Sequence, residues 1–174
     1  MKITIKKKAL TSATLGTTTY TYNGSAKKPP VTVKSGAVTI LSKKTAGNKA
    51  VSVSYASGRK NVGTYKVTIK GIGNYSGSFT KTFKINPAKP AMKTPVGAKK
   101  AITVKWSKVS KQATGYEILL ATNSKFTQGK KTVKVTSNTI TSKKIGNLKP
   151  KKKYFVKVRT YKTVSGKKYY SAWA

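Results

Sequence analysis

Along much of the chain, β-branched and aromatic residues stand two apart with Lys, Ser or Thr between them. The runs are Val51-Ser52-Val53-Ser54-Tyr55, Tyr65-Lys66-Val67-Thr68-Ile69, Phe79-Thr80-Lys81-Thr82-Phe83-Lys84-Ile85, Ile102-Thr103-Val104-Lys105-Trp106 and Val133-Lys134-Val135. That period predicts strands with one buried face and one wet, cationic face. No stretch of comparable length repeats at 3.6, which leaves little room for helix. Asn23-Gly24, Ser35-Gly36, Ser57-Gly58, Asn74, Gly77, Gly129, Gly146-Asn147 and Gly166 punctuate the runs. Short strands with turn signals about every 8 to 12 residues predict an all-β sandwich or barrel.

One segment breaks the rhythm. Asn86 to Pro95 carries three of the six prolines, which suits a stiff extended connector and cannot be an interior strand. It divides the chain into 1–87 and 88–174, each close to the roughly 100 residues of an immunoglobulin-type sandwich. The expected architecture is two tandem antiparallel β-sandwiches joined by a Pro-rich linker.

Composition changes what such a fold can do. Lys plus Arg is 38 and Asp plus Glu is 1, giving a net charge of +37 with no His and no Cys. High charge with 37% apolar residues is also the signature of a disordered chain, but the alternating runs argue for folded strands. Residues 1–87 hold 16 of the basic residues and no acid, while 88–174 hold 22 and Glu117, so the charge belongs to the whole chain and not to a tail. One carboxylate and no His exclude a paired-carboxylate glycosidase, a Ser-His-Asp or Cys-His site, and a side-chain metal cage. Disulfides are excluded as well. A Lys nucleophile or Ser-Lys pair stays formally available, yet nothing marks one lysine among so many. The sequence therefore points to a non-enzymatic binding or spacer module with no cofactor and no metal.

The second half is similar to a fibronectin type III domain over nearly all of 90–174. Ile102-Thr103-Val104-Lys105-Trp106 resembles that family's second strand with its core tryptophan, and Gly115-Tyr116-Glu117-Ile118-Leu119-Leu120 its third. Leu148-Lys149-Pro150-Lys151-Lys152-Lys153-Tyr154 matches the Leu-x-Pro-x-x-x-Tyr corner, with Phe155 to Thr160 as the following strand and Lys168 to Trp173 as the last. The resemblance implies that Tyr154 buries its ring and bonds its hydroxyl to nearby backbone. Tyr154, Val156 and Val158 then point inward, leaving Phe155, Lys157, Arg159 and Tyr161 outside.

The first half resembles bacterial immunoglobulin-like repeats of surface and secreted proteins from Gram-positive gut anaerobes. The residues that carry this are Tyr20 to Pro29, Val51 to Tyr55, Asn61-Val62-Gly63-Thr64-Tyr65 and Gly71 to Phe83. It departs from those repeats at Asn48-Lys49-Ala50-Val51, where they usually show an Asp-Tyr pair, and in its lack of acids. The order immunoglobulin-like then fibronectin-like resembles the stalks of such proteins, where modules act as spacers or adhesive units.

Three causes fit the loss of acids: a module selected to bind polyanions, a scaffold recharged for solubility or delivery, or lysine-biased drift. The densest run is Lys143, Lys144, Lys149, Lys151, Lys152 and Lys153, six lysines in eleven positions around the corner. With Lys130, Lys131, Lys157 and Arg159 it forms the candidate polyanion-binding set; the plain alternative is a solvated loop. Only Arg59 and Arg159 are arginines, and lysine lacks the planar fork used for bidentate phosphate or guanine recognition. Binding is therefore expected to be non-specific and salt-sensitive. The partners expected are teichoic acid, sulfated or sialylated glycans, or, in the alternative of a nucleic-acid-binding or carrier protein, DNA and RNA. Lys6-Lys7-Lys8 is a second cluster, read as a strand end or a lead segment.

Lys167-Lys168-Tyr169-Tyr170, and Phe155 with Tyr161, interleave rings with lysine as a base-stacking groove does. Alternate aromatics in strands are more often core or cross-strand pairs. Trp106 is expected in the core, and Trp173 half-buried at the final strand. Glu117 is expected to point outward and pair with a neighbouring lysine, a contact worth about 0 to 1 kcal/mol at a surface. Met1 to Ala13 opens with charge, but its apolar run is too short and polar for a signal peptide. No stretch approaches the ~20 apolar residues of a membrane span. The resemblance implies export, so the chain is expected to be a monomeric fragment of a longer extracellular or wall-associated protein of a Gram-positive bacterium.

Overall fold

The computed structural model describes residues 3–4, 6–41 and 50–174; Asn48 and Lys49 of the departure noted above lie outside them. Among the described residues every regular element is a strand. The chain divides into two compact units, one of residues 1–20 and 24–85 and the other of 21–23 and 86–174.

The strands of the first stretch are β1 (Lys8–Ala9), β2 (Ser12–Leu15), β3 (Thr19–Thr21), β4 (Val31–Ser35), β5 (Val38–Leu41), β6 (Val51–Tyr55), β7 (Gly63–Gly71), β8 (Tyr75–Ser76) and β9 (Ser78–Asn86). They form one sheet of order β2-β4-β5 and another of order β3-β9-β7-β6. Alternation decides which faces are dry: Val31 and Val33 of β4, Val67 and Ile69 of β7, and Phe83 and Ile85 of β9 are buried, with exposed Lys or Thr beside most of them. Antiparallel pairing is not universal, because β1 runs parallel to β8. That short pairing satisfies the carbonyls of Asn74 and Ser76, which accept from Lys8 and Leu10 N–H at 2.9 Å each.

The second stretch holds β10 (Met92–Ala98), β11 (Ala101–Trp106), β12 (Gly115–Ala121), β13 (Lys131–Val135), β14 (Ser142–Ile145), β15 (Phe155–Val164) and β16 (Lys167–Tyr170). The sheets are β10-β11-β14 and β13-β12-β15-β16. Both feed one core: Val104 and Trp106 of β11, Tyr116, Ile118 and Leu120 of β12, and Ile145 and Val158 from β14 and β15. Trp106 and Tyr116 meet across the sheets with ring centroids 5.2 Å apart, each burying roughly 150–250 Å² of aromatic surface. The Tyr116 hydroxyl accepts from Val109 N–H at 2.8 Å and donates to the Asn138 carbonyl at 3.1 Å, so its polar end is satisfied.

The Pro-rich stretch is only partly a connector. Met92 to Pro95 lie in β10, an edge strand, and Pro95 stands where the β10–β11 register shifts between Lys93 and Val96. A residue without an N–H is tolerated at such a break on an edge. The final strand is also shorter than expected, ending at Tyr170. Backbone pairing with β15 nevertheless continues past it, since Ala174 and Val158 exchange bonds at 2.9 and 3.1 Å.

Candidate functional site

The corner loop between β14 and β15 is built by two backbone bends. Asn147 (φ 57) and Lys151 (φ 54) both take the left-handed conformation, and the Tyr154 hydroxyl accepts from Lys149 N–H at 3.0 Å. Tyr154 packs half-buried against the core, as the fibronectin resemblance implies. Across from the corner, the β12–β13 turn is closed by Asn123, whose Oδ1 accepts from Thr127 and Gln128 N–H at 3.0 and 3.1 Å. Gly129 (φ 56) ends that turn, and a Cβ there would lie 2.8 Å from Thr122.

The turn and the corner enclose an open cleft of about 500 Å³. Thr122, Gln128 and Gly129 form one wall, Asn147 and Tyr154 the other, and Lys131, Lys149, Lys152 and Lys153 reach it from both. Lys131 Nζ donates to the Gly146 carbonyl at 2.8 Å and ties the walls together. A second hollow of about 230 Å³ behind the corner gathers Lys149, Lys151 and Lys152 with Lys100. Lys100 was missed in the sequence because it lies about fifty positions from the run it joins; the signal was the Lys99-Lys100 turn between two strands.

The remaining candidates lie elsewhere. Lys143 and Lys144 are exposed on β14, opposite Val104 and Thr103 in the three-stranded sheet. Lys130 is exposed at the head of β13, outside the residues lining the cleft. Lys157 and Arg159 sit on β15 in a stack of rings and cations. Lys157 Nζ is 4.1 Å from the Phe126 centroid and 4.8 Å from that of Trp173. The Arg159 guanidinium is 4.3 Å from Trp173 and 3.9 Å from Tyr170. Arg159 Nε and Nη2 both donate to Glu117 Oε1, at 2.8 and 2.5 Å.

Two expectations are corrected there. Glu117 is buried, not exposed, and its partner is Arg159, not a lysine. Arg159 lies directly opposite it on β15, and the flanking rings hold the planar fork over the carboxylate. Tyr161, expected outside, is buried because its register partner Gly115 has no side chain to lift the ring. Burial first, then Tyr170 and Glu117, push its phenol above the ordinary value. Tyr161 and Tyr170 form a cross-strand pair at 6.2 Å, with Lys168 5.6 Å over the Tyr161 ring, and Tyr169 is buried. Tyr161 and Tyr170 are thus engaged in a cross-strand pair, and Phe155 is half-buried with Lys153 5.4 Å from its ring centroid. Trp173 is half-buried in the stack.

In the first unit, exposed Lys6, Lys7 and Lys8 line an open depression of about 530 Å³ with Asn74 and Tyr75. Among the described residues no group of His, Cys, Asp or Glu could hold a metal, and no helix is long and apolar enough to cross a membrane.

Two sheets closed over a Trp106–Tyr116 core, with a Leu-x-Pro-x-x-x-Tyr corner, define a fibronectin-type β-sandwich. Residues 85–173 match the fibronectin type III domain, and the chain belongs to that family. No curated protein sequence matches the chain. Among solved structures it is similar to the FN1-FN3 domains of chicken CNTN1, at 19% identity and a TM-score of 0.43, over 97% of this chain and 66% of that one. It is also similar to a chain of a cytokine receptor complex, at 13% identity and a TM-score of 0.52, over 94% of this chain and 99% of that one. The second likeness bears on the fold alone.

Proposed function

We propose that this is a non-enzymatic, cationic binding or spacer module that associates electrostatically with anionic polymers such as wall teichoic acid and anionic glycans. In this reading an immunoglobulin-like sandwich, residues 1–87, precedes the fibronectin type III sandwich, residues 88–174, with the Pro-rich stretch joining them, and the parent is an exported, wall-associated protein of a Gram-positive bacterium that works as a monomer.

One observation carries the reading: the chain's single carboxylate is committed to Arg159, so no side-chain acid remains to neutralise the lysines of the corner. Lysines 149, 151, 152 and 153 are exposed, and an anionic polymer laid across them releases its counter-ions. Lysine supplies point charges without a fork, which favours charge density over sequence readout. The alternative, a sequence-independent nucleic-acid-binding or carrier protein, rests on the same charge and not on ring stacking, since Tyr161 and Tyr169 are buried and Tyr170 lies against Arg159.

The test is binding of the intact chain to teichoic acid, heparin and duplex DNA against neutral dextran over a range of salt. The expected result is binding to all three anionic polymers, with log affinity falling linearly as log salt rises, and none to dextran. Equal affinity for dextran and heparin in dilute buffer overturns the proposal.

A further inference from the structure

The corner cleft differs from the other lysine clusters in what it carries beside charge. On β14 the lysines are exposed next to Ser142, and the depression rimmed by Lys6, Lys7 and Lys8 adds only one amide residue, Asn74, and the Tyr75 ring. At the corner four lysines rim a volume of about 500 Å³, within the roughly 300–1,000 Å³ typical of discrete small-ligand sites. The walls also carry two uncharged amide side chains, Gln128 and Asn147, and the Thr122 hydroxyl. An amide offers both a donor and an acceptor, which matches a sugar hydroxyl in full, whereas a bare phosphate chain, with acceptors only, uses the donor and leaves the acceptor idle.

The cleft's walls are set in place before any ligand arrives. Asn123 closes one, the Lys149–Tyr154 bond closes the other, and Lys131 spans them. Its single ring, Tyr154, is packed on the core with its hydroxyl engaged, so no aromatic face is offered to a nucleobase. Resting on the polyanion reading above, we infer that the cleft is a subsite for one anionic sugar unit of a glycan, with Lys131, Lys149, Lys152 and Lys153 meeting its sulfate or carboxylate groups and Gln128 and Asn147 its hydroxyls.

The experiment titrates the intact chain with three probes, a sulfated disaccharide, its unsulfated parent and inorganic tripolyphosphate, and follows backbone amide resonances by NMR. The variants are Q128A/N147G and K152Q/K153Q. Glycine at 147 keeps the left-handed backbone, so the corner retains its shape, and thermal unfolding verifies this. The sulfated disaccharide is expected to shift the amides of Gln128, Asn147 and Lys149. Q128A/N147G should weaken it about tenfold while leaving tripolyphosphate within about twofold, whereas K152Q/K153Q weakens both. If Q128A/N147G weakens the two anions equally, or neither, the sugar subsite is wrong while the polyanion reading stands. If neither anion shifts the corner more than the unsulfated parent does, the cleft is not an anion site, and the subsite and the corner's part in polyanion binding fall together.

Discussion

Replacing Glu117 with Gln tests whether the lone carboxylate is a structural element of the second unit. The perturbation is isosteric: it removes one negative charge and leaves an amide beneath the Arg159 guanidinium. The pair is partly screened, with side chains 25% and 9% exposed for Arg159 and Glu117. A hydrogen bond to a charged group is worth about 1.5–3 kcal/mol, whereas exposed ion pairs give about 0–1 kcal/mol. Two donors on one oxygen, discounted for the wet side of Arg159, place the loss at about 2 kcal/mol. For a unit of this size each kcal/mol moves Tm by about 4–8 °C, so a drop of about 8–16 °C is expected. Trp106 and Trp173 both belong to the second unit, so tryptophan emission during heating reports that unit selectively. A companion variant, Arg159→Lys, keeps the charge but loses the fork and its stacking, and is expected to cost a similar amount. A loss below about 0.5 kcal/mol for Glu117→Gln refutes the argument, since it would make the pair an ordinary surface contact.

Further expectations follow from single positions. Thr160 is fully buried and its hydroxyl has no hydrogen-bond partner, so Thr160→Val should stabilise the unit by about 1 kcal/mol; an unchanged or lower urea midpoint counts against this. A Cβ on Gly115 would lie 2.0 Å from the Val135 carbonyl oxygen, so Gly115→Ala should separate β12 from β13 at a cost of about 3 kcal/mol, read as a lowered Tm, and a fully stable variant would show that the backbone yields there. Burial, then Tyr20, raises the Tyr55 phenol against a lowering by Arg59, just as burial raises Tyr161. With folded pKa values above the ordinary 10.0, the neutral rings contribute stability that is complete below about pH 10 and is lost as pH rises further. Phenolate absorbance should therefore rise later for two tyrosines in the native chain than in urea, and a single coincident titration would contradict the assignment. Sulfate or heparin should raise Tm by relieving repulsion and binding the native state; a Tm indifferent to both would show that the lysines do not strain the fold.

Much of the fold was legible because alternation is a local signal. Val51 to Tyr55 is a strand with the bounds its pattern predicts, and the corner sequence located a hydroxyl-to-backbone bond five residues back. β14 was not legible, since Ser142-Lys143-Lys144-Ile145 buries one residue only and is held by pairing with β11. β2 was hidden for a similar reason: its four residues bury only Ala13, and it forms by pairing with β4 about twenty positions away. At the site, the corner lysines were visible as a run, but the Gln128 and Asn147 walls were not, because the β12–β13 hairpin turn and the β14–β15 corner, which passes from one sheet to the other, bring them together. Glu117 was misjudged because strand parity gives a side chain's face and not what covers it. What lies over it here is Arg159, itself held against the rings of Tyr170 and Trp173.

Having only one acidic side chain and no histidine governs how the molecule meets changes of acidity. Ordinary proteins gain charge and swell apart below neutrality as many carboxylates and histidines take up protons. This one has a single such side chain to protonate, so vinegar-like and neutral surroundings present almost the same cation. Its grip on an oppositely charged surface is then governed by dissolved electrolyte and by the ionisation of that surface, with the protein itself a nearly fixed quantity.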